Sequence, residues 1–486
     1  MKEKKKFYIT TTLPYVNSEL HIGHALEFVR ADSIARFKRN SGYDVFFNTG
    51  SDEHGAKIFE SANANGVSVQ VYVDSFVDKF KAVHKLLNIS YDGFVRTTDK
   101  THISAAQELW KRAEANGYIY KKNYKTKYCV GCELSKTDSE LEKGVCPIHP
   151  NREIELIEEE NYFFKWSTFQ DRLLSLYESQ STFVVPDTRL NEIKAFVGRG
   201  LEDFSISRLQ TKMPWGVPVP GDDAHVMYVW FDALTSYIAT LGWPEGQHFE
   251  TYWVQEGQVR EVVQYCGKDN LRQQSAMWQA MLMAADIPLS TNIIIDGFIV
   301  SGGMKMSKSV GNVVAPIEMV AAYKEHTEYA EDVIRFALLH DIPSFEDGDM
   351  TIESIATSYT AHLVNGLGNL TSRVMRMATT HNIVSLDTSK HLSPEIIEAM
   401  NAFDTKKAIE QCMIDVRNLD KFIQETEPFK VVKTNEEKGH ILIGECLSDL
   451  RKIACNLELF LPRSAAKILE CIEEHKMPEK PIFNRL

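Results

Sequence analysis

The sequence predicts an α/β fold in which a parallel sheet is split by an insertion and followed by a helix bundle. Three observations carry this expectation. Aromatic and β-branched runs alternate with helical patterns up to about residue 117 and again from 224 to 348. Between these stretches, residues 118–223 break into short strands, a cysteine cluster and turn-rich segments. After Asp349 no strand run remains and helical spacing takes over. The 486 residues suffice for about three domains. The expected division is 1–117 and 224–348 for the two halves of the sheet unit, 118–223 for the insertion and 349–486 for the bundle.

Taken in order, residues 7–12 (Phe-Tyr-Ile-Thr-Thr-Thr) read as a buried strand, followed by a loop through Pro14 and a helix from Ile22 to about Arg39. Residues 44–48 read as the next strand and Glu53 to Asn63 as another helix, which is the strand-helix-strand opening of a nucleotide-binding sheet. The insertion holds five glutamates within residues 153–160 and the turn-rich run from Pro214 to Gly221. The run His225-Val-Met-Tyr-Val-Trp-Phe is expected to resume the sheet, with a helix from Asp232, strands at 262–266 and 292–296, and a helix from about Asn270 to Ala285 between them. Residues 351–380, 393–424, 430–460 and 462–475 carry helical spacing.

Composition narrows the function classes. No stretch approaches the 18 or so uncharged apolar residues of a membrane span, and the lysine-rich start lacks the apolar segment of an export signal. Eight cysteines are too few for a disulfide scaffold, and three fall between residues 129 and 146, so a cytoplasmic protein is expected. A net charge of −13 gives no global attraction to a polyanion. The local exception is residues 111–127, where Lys111, Arg112, Lys121, Lys122, Lys125 and Lys127 face the single acid Glu114. That run reads equally as an RNA contact or as a solvated face.

Two constellations bear on phosphate chemistry. His21-Ile-Gly-His24 stands between the first strand and the first helix, where unpaired backbone donors and the helix dipole favour an anion, and Gly23 allows close approach to the backbone. By itself such a pair could equally cap the helix or bind a metal. Gly302-Gly-Met-Lys305-Met-Ser-Lys308-Ser follows the last strand of the sheet, and its two lysines could close over a triphosphate or simply be solvated. Together with the split sheet, these two motifs resemble class I aminoacyl-tRNA synthetases. Along nearly its whole length the chain is similar to the methionyl-tRNA synthetase family. Smaller matches agree: Leu13-Pro-Tyr15, Gly50-Ser-Asp52-Glu-His-Gly55, Trp230-Phe-Asp232-Ala233 with Tyr237, and Gly267-Lys-Asp269.

The resemblance implies a Rossmann-like catalytic domain that activates L-methionine with ATP and Mg²⁺ to methionyl-adenylate, then passes the acyl group to tRNA(Met). It implies that His21, His24, Lys305 and Lys308 meet the ATP phosphates, that Gly23, Glu27, Gly267 and Asp269 bind ATP, and that Asp52 holds the amino group. Leu13, Tyr15, Trp230, Ala233 and Tyr237 would line the methionine pocket. Gln274 stands where relatives carry a histidine, and Asn270 where the position is often apolar. The pair Trp230 and Tyr237 also reads as ordinary core.

Cys129-x₂-Cys132 and Cys146-x₂-His149, thirteen residues apart, match a closed Cys₃His zinc site, with reduced structural thiols as the alternative. The resemblance implies a structural Zn²⁺ there, one per chain. It also implies that Asn369, Arg373 and Phe429 read the anticodon. Solvated Asn369 and Arg373 with a core Phe429 is the alternative. A synthetase for leucine, valine or isoleucine would need an editing domain for which residues 118–223 are too short. A tRNA-independent adenylating ligase on the same catalytic fold would lack the bundle. With no appended dimerisation domain after Leu486, a monomer is expected.

Overall fold

The computed structural model describes residues 4–132, 134–136, 140–257, 259–301, 304–305, 315–384 and 392–486. Its centre is a six-stranded, wholly parallel sheet. The chain lays down β1 (Lys6–Thr11), helix α1 (Ile22–Asn40), β2 (Asp44–Ser51), helices α2 (Ala56–Ala64) and α3 (Val69–Leu86), β3 (Gly93–Arg96) and helix α4 (Lys100–Ala115). Phe7, Tyr8 and Ile9 of β1 are fully buried, as a strand covered by helices on both faces must be, so the run is continuously apolar rather than alternating.

The next stretch leaves the sheet. Strands β4 (Ile119–Cys129) and β6 (Ile154–Phe164) form a long antiparallel ribbon with β5 (Leu134–Lys136) at its tip. Opposed charges on the ribbon answer one another: Lys125 Nζ is 2.6 Å from Glu158, Lys121 Nζ is 2.7 Å from Asp222, and Arg112 pairs with Glu108 within α4. Three of the six cations in the run 111–127 are therefore answered by acids, and the partners of Lys121 and Lys125 are ones its linear sequence does not reveal.

The segment 118–223 is not one body in space. Residues Val184–Val185 (β7) return to the main sheet and pair parallel with its far strand. Strands β8 (Phe204–Ser205), β9 (Ser207–Leu209), β10 (Pro218–Val219) and β11 (Asp222–Met227) complete the outer layer. The run His225 to Phe231 corrects the expectation that it resumes the parallel sheet. Residues up to Met227 pair antiparallel with β9 and β10, and Val229–Ala233 then turns as a short helix. An apolar run of that length is compatible with either state, and the antiparallel partners decide it.

The sheet resumes with β12 (Val262–Gly267) and β13 (Asn292–Asp296), giving the order β3-β2-β1-β12-β13-β7. Successive connections run outward from β1 in one direction and from β12 in the other. The carboxyl ends of β1 and β12 thus flank a switch point, where an open parallel sheet leaves a crevice for a ligand.

The C-terminal region is helical, with long helices Thr405–Thr426 and Glu436–Leu457 against Tyr359–Gly368, Asn369–Thr380 and Pro462–Glu473. The expected single helix over 393–424 is broken, because Phe403 takes φ 60° and Asp404 caps a new start. One continuous apolar core joins the bundle to the α1 side of the sheet. At that junction Arg335 pairs with the buried Asp32 of α1 at 2.8 Å and donates from Nε to Phe460 O of the bundle at 2.7 Å, while within the sheet unit Arg30 of α1 reaches Asp296 of β13 at 2.5 Å. Among the described residues no helix is long and apolar enough to cross a membrane.

Candidate active site

A cavity of about 450 Å³ opens at the switch point. The loop after β1, the first turn of α1, the turn after β12 and the helix Val229–Ala233 wall it.

Its phosphate-facing corner is the start of α1. His21 is the cap residue and accepts a hydrogen bond at Nδ1 from the Gly23 amide, 3.1 Å, while the His21 amide donates to His24 Nδ1, 3.2 Å. The two rings stack with centroids 3.8 Å apart. Because both Nδ1 atoms accept from backbone N–H groups, each neutral ring carries its hydrogen on Nε2. Capping and ligand binding, opposed as alternatives at the sequence level, are thus compatible: capping uses one nitrogen and leaves the other as a donor. The expectation that both histidines share one helix face is refined, since His21 lies at the cap and His24 in the first turn. Gly23 leaves room for the His21 ring, since a Cβ there would press on Cε1 and Nδ1 at 3.0 Å. Burial, reinforced by His21 and His84, holds His24 well below the ordinary imidazole range, so at neutral pH it is an uncharged donor.

Glu27, one turn further, accepts from the amide and the hydroxyl of Thr12, both at 2.6 Å. Burial pushes its carboxyl up to about 8; the Thr12 bonds oppose this, and the charges of Asp296 and Asp269 add to it. Gly267 ends β12 and Asp269 lies in the turn that follows, both on the same cavity, and Asn270 Nδ2 donates to Asp269 Oδ1 at 3.3 Å. Asp52 is tied by its backbone to the opposite loop: Val16 N donates to Asp52 O and Asp52 N to Pro14 O, which ends the loop bearing Leu13 and Tyr15 against β2. Trp230, Ala233, Tyr237 and Gln274 line the remaining wall. Tyr237 and Gln274 are nearly inaccessible, at 3% and 1% exposure. Lys308 and the loop around it lie outside the described residues, as does the side chain of Lys305.

One constellation at this wall went unrecognised in the sequence. Asp232 is fully buried and takes hydrogen bonds at 2.6 Å from His54 Nδ1 and from His102 Nε2. Burial alone would raise its pKa, but His54 and His102 outweigh burial and bring it to about 2. The triad fixes the short helix that presents Trp230 and Ala233. His54 and Asp232 sit inside quoted motifs, whereas a lone histidine in α4 gives no sequence signal.

Cys129, Cys132, Cys146 and His149 converge, their ligand atoms all lying within 4.8 Å of one another. Cys132 Sγ is 3.3 Å from His149 Nδ1 and 3.5 Å from Cys146 Sγ. These spacings suit a tetrahedral ion, since bonds of about 2.3 Å place ligands roughly 3.8 Å apart. Gly131 passes directly beneath the imidazole, where a Cβ would come within 2.3 Å of His149 Cγ. The knuckle also touches the cavity: Gly131 and Cys132 line it, and Lys57 Nζ donates to Gly131 O at 2.9 Å.

A second cavity, about 300 Å³, lies in the bundle and brings Asn369, Arg373 and Phe429 together with Arg376. Phe429 is 41% exposed rather than a core residue. Arg373 is ion-paired with Asp420, which also accepts from Gln424 Nε2.

Comparison with known proteins adds the following. The family described as tRNA synthetases class I (M) matches residues 7–155 and 149–375. The methionine--tRNA ligase of Brucella suis is 36% identical over 487 aligned residues, covering 96% of this chain and 92% of the relative. The corresponding protein of Mesorhizobium japonicum is 37% identical with the same coverage. Among solved structures, Mycobacterium tuberculosis methionyl-tRNA synthetase in complex with methionyl-adenylate superposes with a TM-score of 0.87 at 32% identity, over 99% of this chain and 98% of that one.

Proposed function

The chain belongs to the class I tRNA synthetases of the methionyl branch, and from that premise we infer how its cavities divide the work of methionine--tRNA ligation. The protein joins methionine to tRNA in two steps. The methionine carboxylate attacks the α-phosphorus of ATP, the bond to pyrophosphate breaks, and methionyl-adenylate forms. A ribose hydroxyl of the tRNA's terminal adenosine then attacks the acyl carbon, and AMP leaves.

The observation that carries the assignment of residues is the meeting of His21, His24 and the described candidates for ATP and methionine binding in one cavity at the sheet's switch point. The Nε2–H groups of His21 and His24 meet charge that develops on the phosphates, and Lys305 and Lys308 close over the departing pyrophosphate. The carboxylate is already a nucleophile, so no side chain acts as its base. Orientation and charge stabilisation supply the rate. Asp269 and Glu27 hold the nucleotide, and Asp52 the ammonium group. Leu13, Tyr15, Trp230, Ala233 and Tyr237, with Gln274 behind them, enclose the methionine side chain. Mg²⁺ accompanies ATP, where it offsets phosphate charge.

The three thiols and the imidazole of the knuckle would hold one Zn²⁺, which when bound would tie together the tip of the insertion. Residues 1–117 and 224–348 perform adenylation and 118–223 carry the knuckle, apart from the strand returned to the sheet. Residues 349–486 read the anticodon of tRNA(Met) through Asn369, Arg373 and Phe429. The reaction runs in the cytoplasm, a reading supported by eight cysteines that form no disulfide. Amino-acid-dependent exchange of pyrophosphate into ATP, repeated as charging of total tRNA, tests the reading. Methionine alone should support efficient exchange, and methionine-accepting tRNA should be charged. Preferential activation of a polar amino acid, or exchange without charging, would instead indicate a tRNA-independent ligase.

A further inference from the structure

Resting on the reading of the cavity just given, we propose that Gln264, which lies behind the cavity wall, is a positioning residue for methionine selection. It decides which end of the Gln274 amide faces Tyr237, and so leaves the Tyr237 hydroxyl proton for the substrate's thioether sulfur.

The direction of the network follows from two backbone groups. A side-chain amide can be turned end for end, but a backbone N–H only donates and a backbone C=O only accepts. Ser290 N donates to Gln279 Oε1 at 3.2 Å, and Gln279 Nε2 donates to Gln274 O at 2.9 Å, so Gln279 has one orientation. Its remaining N–H is shared between Ser290 Oγ at 3.2 Å and Gln264 Oε1 at 3.3 Å. Ser290 Oγ, having accepted from Gln279, donates to Gln264 Oε1 at 2.6 Å. The oxygen of Gln264 is thereby spent on Ser290 and Gln279, and its Nε2 faces Gln274 Oε1 at 2.8 Å. Gln274 then has only its Nε2 to offer Tyr237 Oη, at 2.5 Å.

Tyr237 therefore accepts, and its single O–H proton has no acceptor among the described residues. Its ring stands on the wall beside Trp230 and Ala233, almost wholly out of water. A buried hydroxyl proton without an acceptor is costly. A thioether sulfur is a weak acceptor, whereas the methylene at the same place in norleucine accepts nothing. Gln264 itself pairs within the sheet, opposite Thr10 of β1 and Ile293 of β13, and is 1% exposed. It reaches the substrate only through Gln274 and Tyr237.

The test uses the full chain and pyrophosphate exchange driven by methionine and, separately, by norleucine. Gln264→Glu is close to isosteric, but its carboxylate only accepts. Gln274 must then turn its amide nitrogen toward position 264 and its oxygen toward Tyr237, which spends its proton there. At pH 8 the preference for methionine over norleucine should fall about tenfold, chiefly through the KM for methionine, with kcat largely kept. At pH 6 the preference should partly return as the carboxyl gains a proton to donate. Gln264→Leu, which can do neither, should lose the preference at both pH values. A parallel loss for both amino acids in the two variants would make Gln264 merely structural and overturn the proposal. An unchanged ratio in Gln264→Leu overturns it whatever Gln264→Glu does. Failure of the unaltered protein to activate methionine at all is a different result, which sinks the functional reading and this proposal with it.

Discussion

A histidine that caps its own helix has one nitrogen committed and one to lend, and that division sets what His21 and His24 can do. Backbone amides hold both rings in place, and His24 is an uncharged donor rather than a mobile cation. His24→Ala should therefore lower the rate of adenylate formation by about 10²–10³, the usual cost of one donor to a developing oxyanion, with methionine binding nearly unchanged. Pre-steady-state quenched flow reads both quantities, and a rise confined to KM would remove His24 from the chemistry. Glu27 makes a prediction about pH. Its carboxyl ionises near 4.5 in the unfolded chain but at about 8 when folded. Between these values the folded state binds the extra proton, so this group costs stability as pH rises, by at most about 1.4 kcal/mol per pH unit. Glu27→Gln, which does not titrate, should gain on the unaltered protein from pH 5 to pH 8 and no further above it. Denaturant melts across that range measure the gap, and a constant difference would show that Glu27 is ionised in the fold.

At the scale of elements, the antiparallel ribbon of β4 and β6 ends in the cysteine knuckle and leans on the cavity through Gly131, Cys132 and the Lys57 bond. Cys132→Ser should release the metal, seen by elemental analysis. Amide exchange should rise at the ribbon's tip while the six-stranded sheet keeps its protection. Adenylation should slow as well, because the wall at Gly131 shifts. A fully active protein purified without zinc would detach the knuckle from the mechanism. The ribbon also shows where linear sequence misleads. Lys121 and Lys125 look unbalanced along the chain, yet their partners lie 101 and 33 residues away: Glu158 meets Lys125 across the β4–β6 pairing, and Asp222 meets Lys121 from the neighbouring sheet of β9, β10 and β11.

For the whole molecule, the two cavities belong to different units, one at the sheet's switch point and one between bundle helices. Arg373→Ala should weaken tRNA charging by about 1–3 kcal/mol, the scale of one lost base contact, and leave pyrophosphate exchange almost untouched. Equal loss in both assays would mean that the Arg373–Asp420 pair holds the fold instead. Much of this division was legible in advance. The motif around His21, the strands at 7–12, 44–48, 262–266 and 292–296, and the ligand spacing of the knuckle are local patterns, set by periodicity, turn chemistry and the reach of a few residues. What stayed hidden depends on contacts between distant segments. The two-residue strand β7 is too short to carry a period, and it exists because β13 offers it an edge. The run from His225 to Phe231 is ambiguous by itself and was settled by β9 and β10. His102 joins Asp232 across 130 residues, and Gln264 reaches Tyr237 through an amide whose orientation is set by Ser290 and Gln279. The sequence by itself thus determined most of the elements and the local motifs that line the cavity, because those are encoded within a few turns or strands. Only the tertiary structure decided which buried polar groups satisfy one another, because a buried donor takes whatever acceptor the fold brings within about 3 Å, from any distance along the chain.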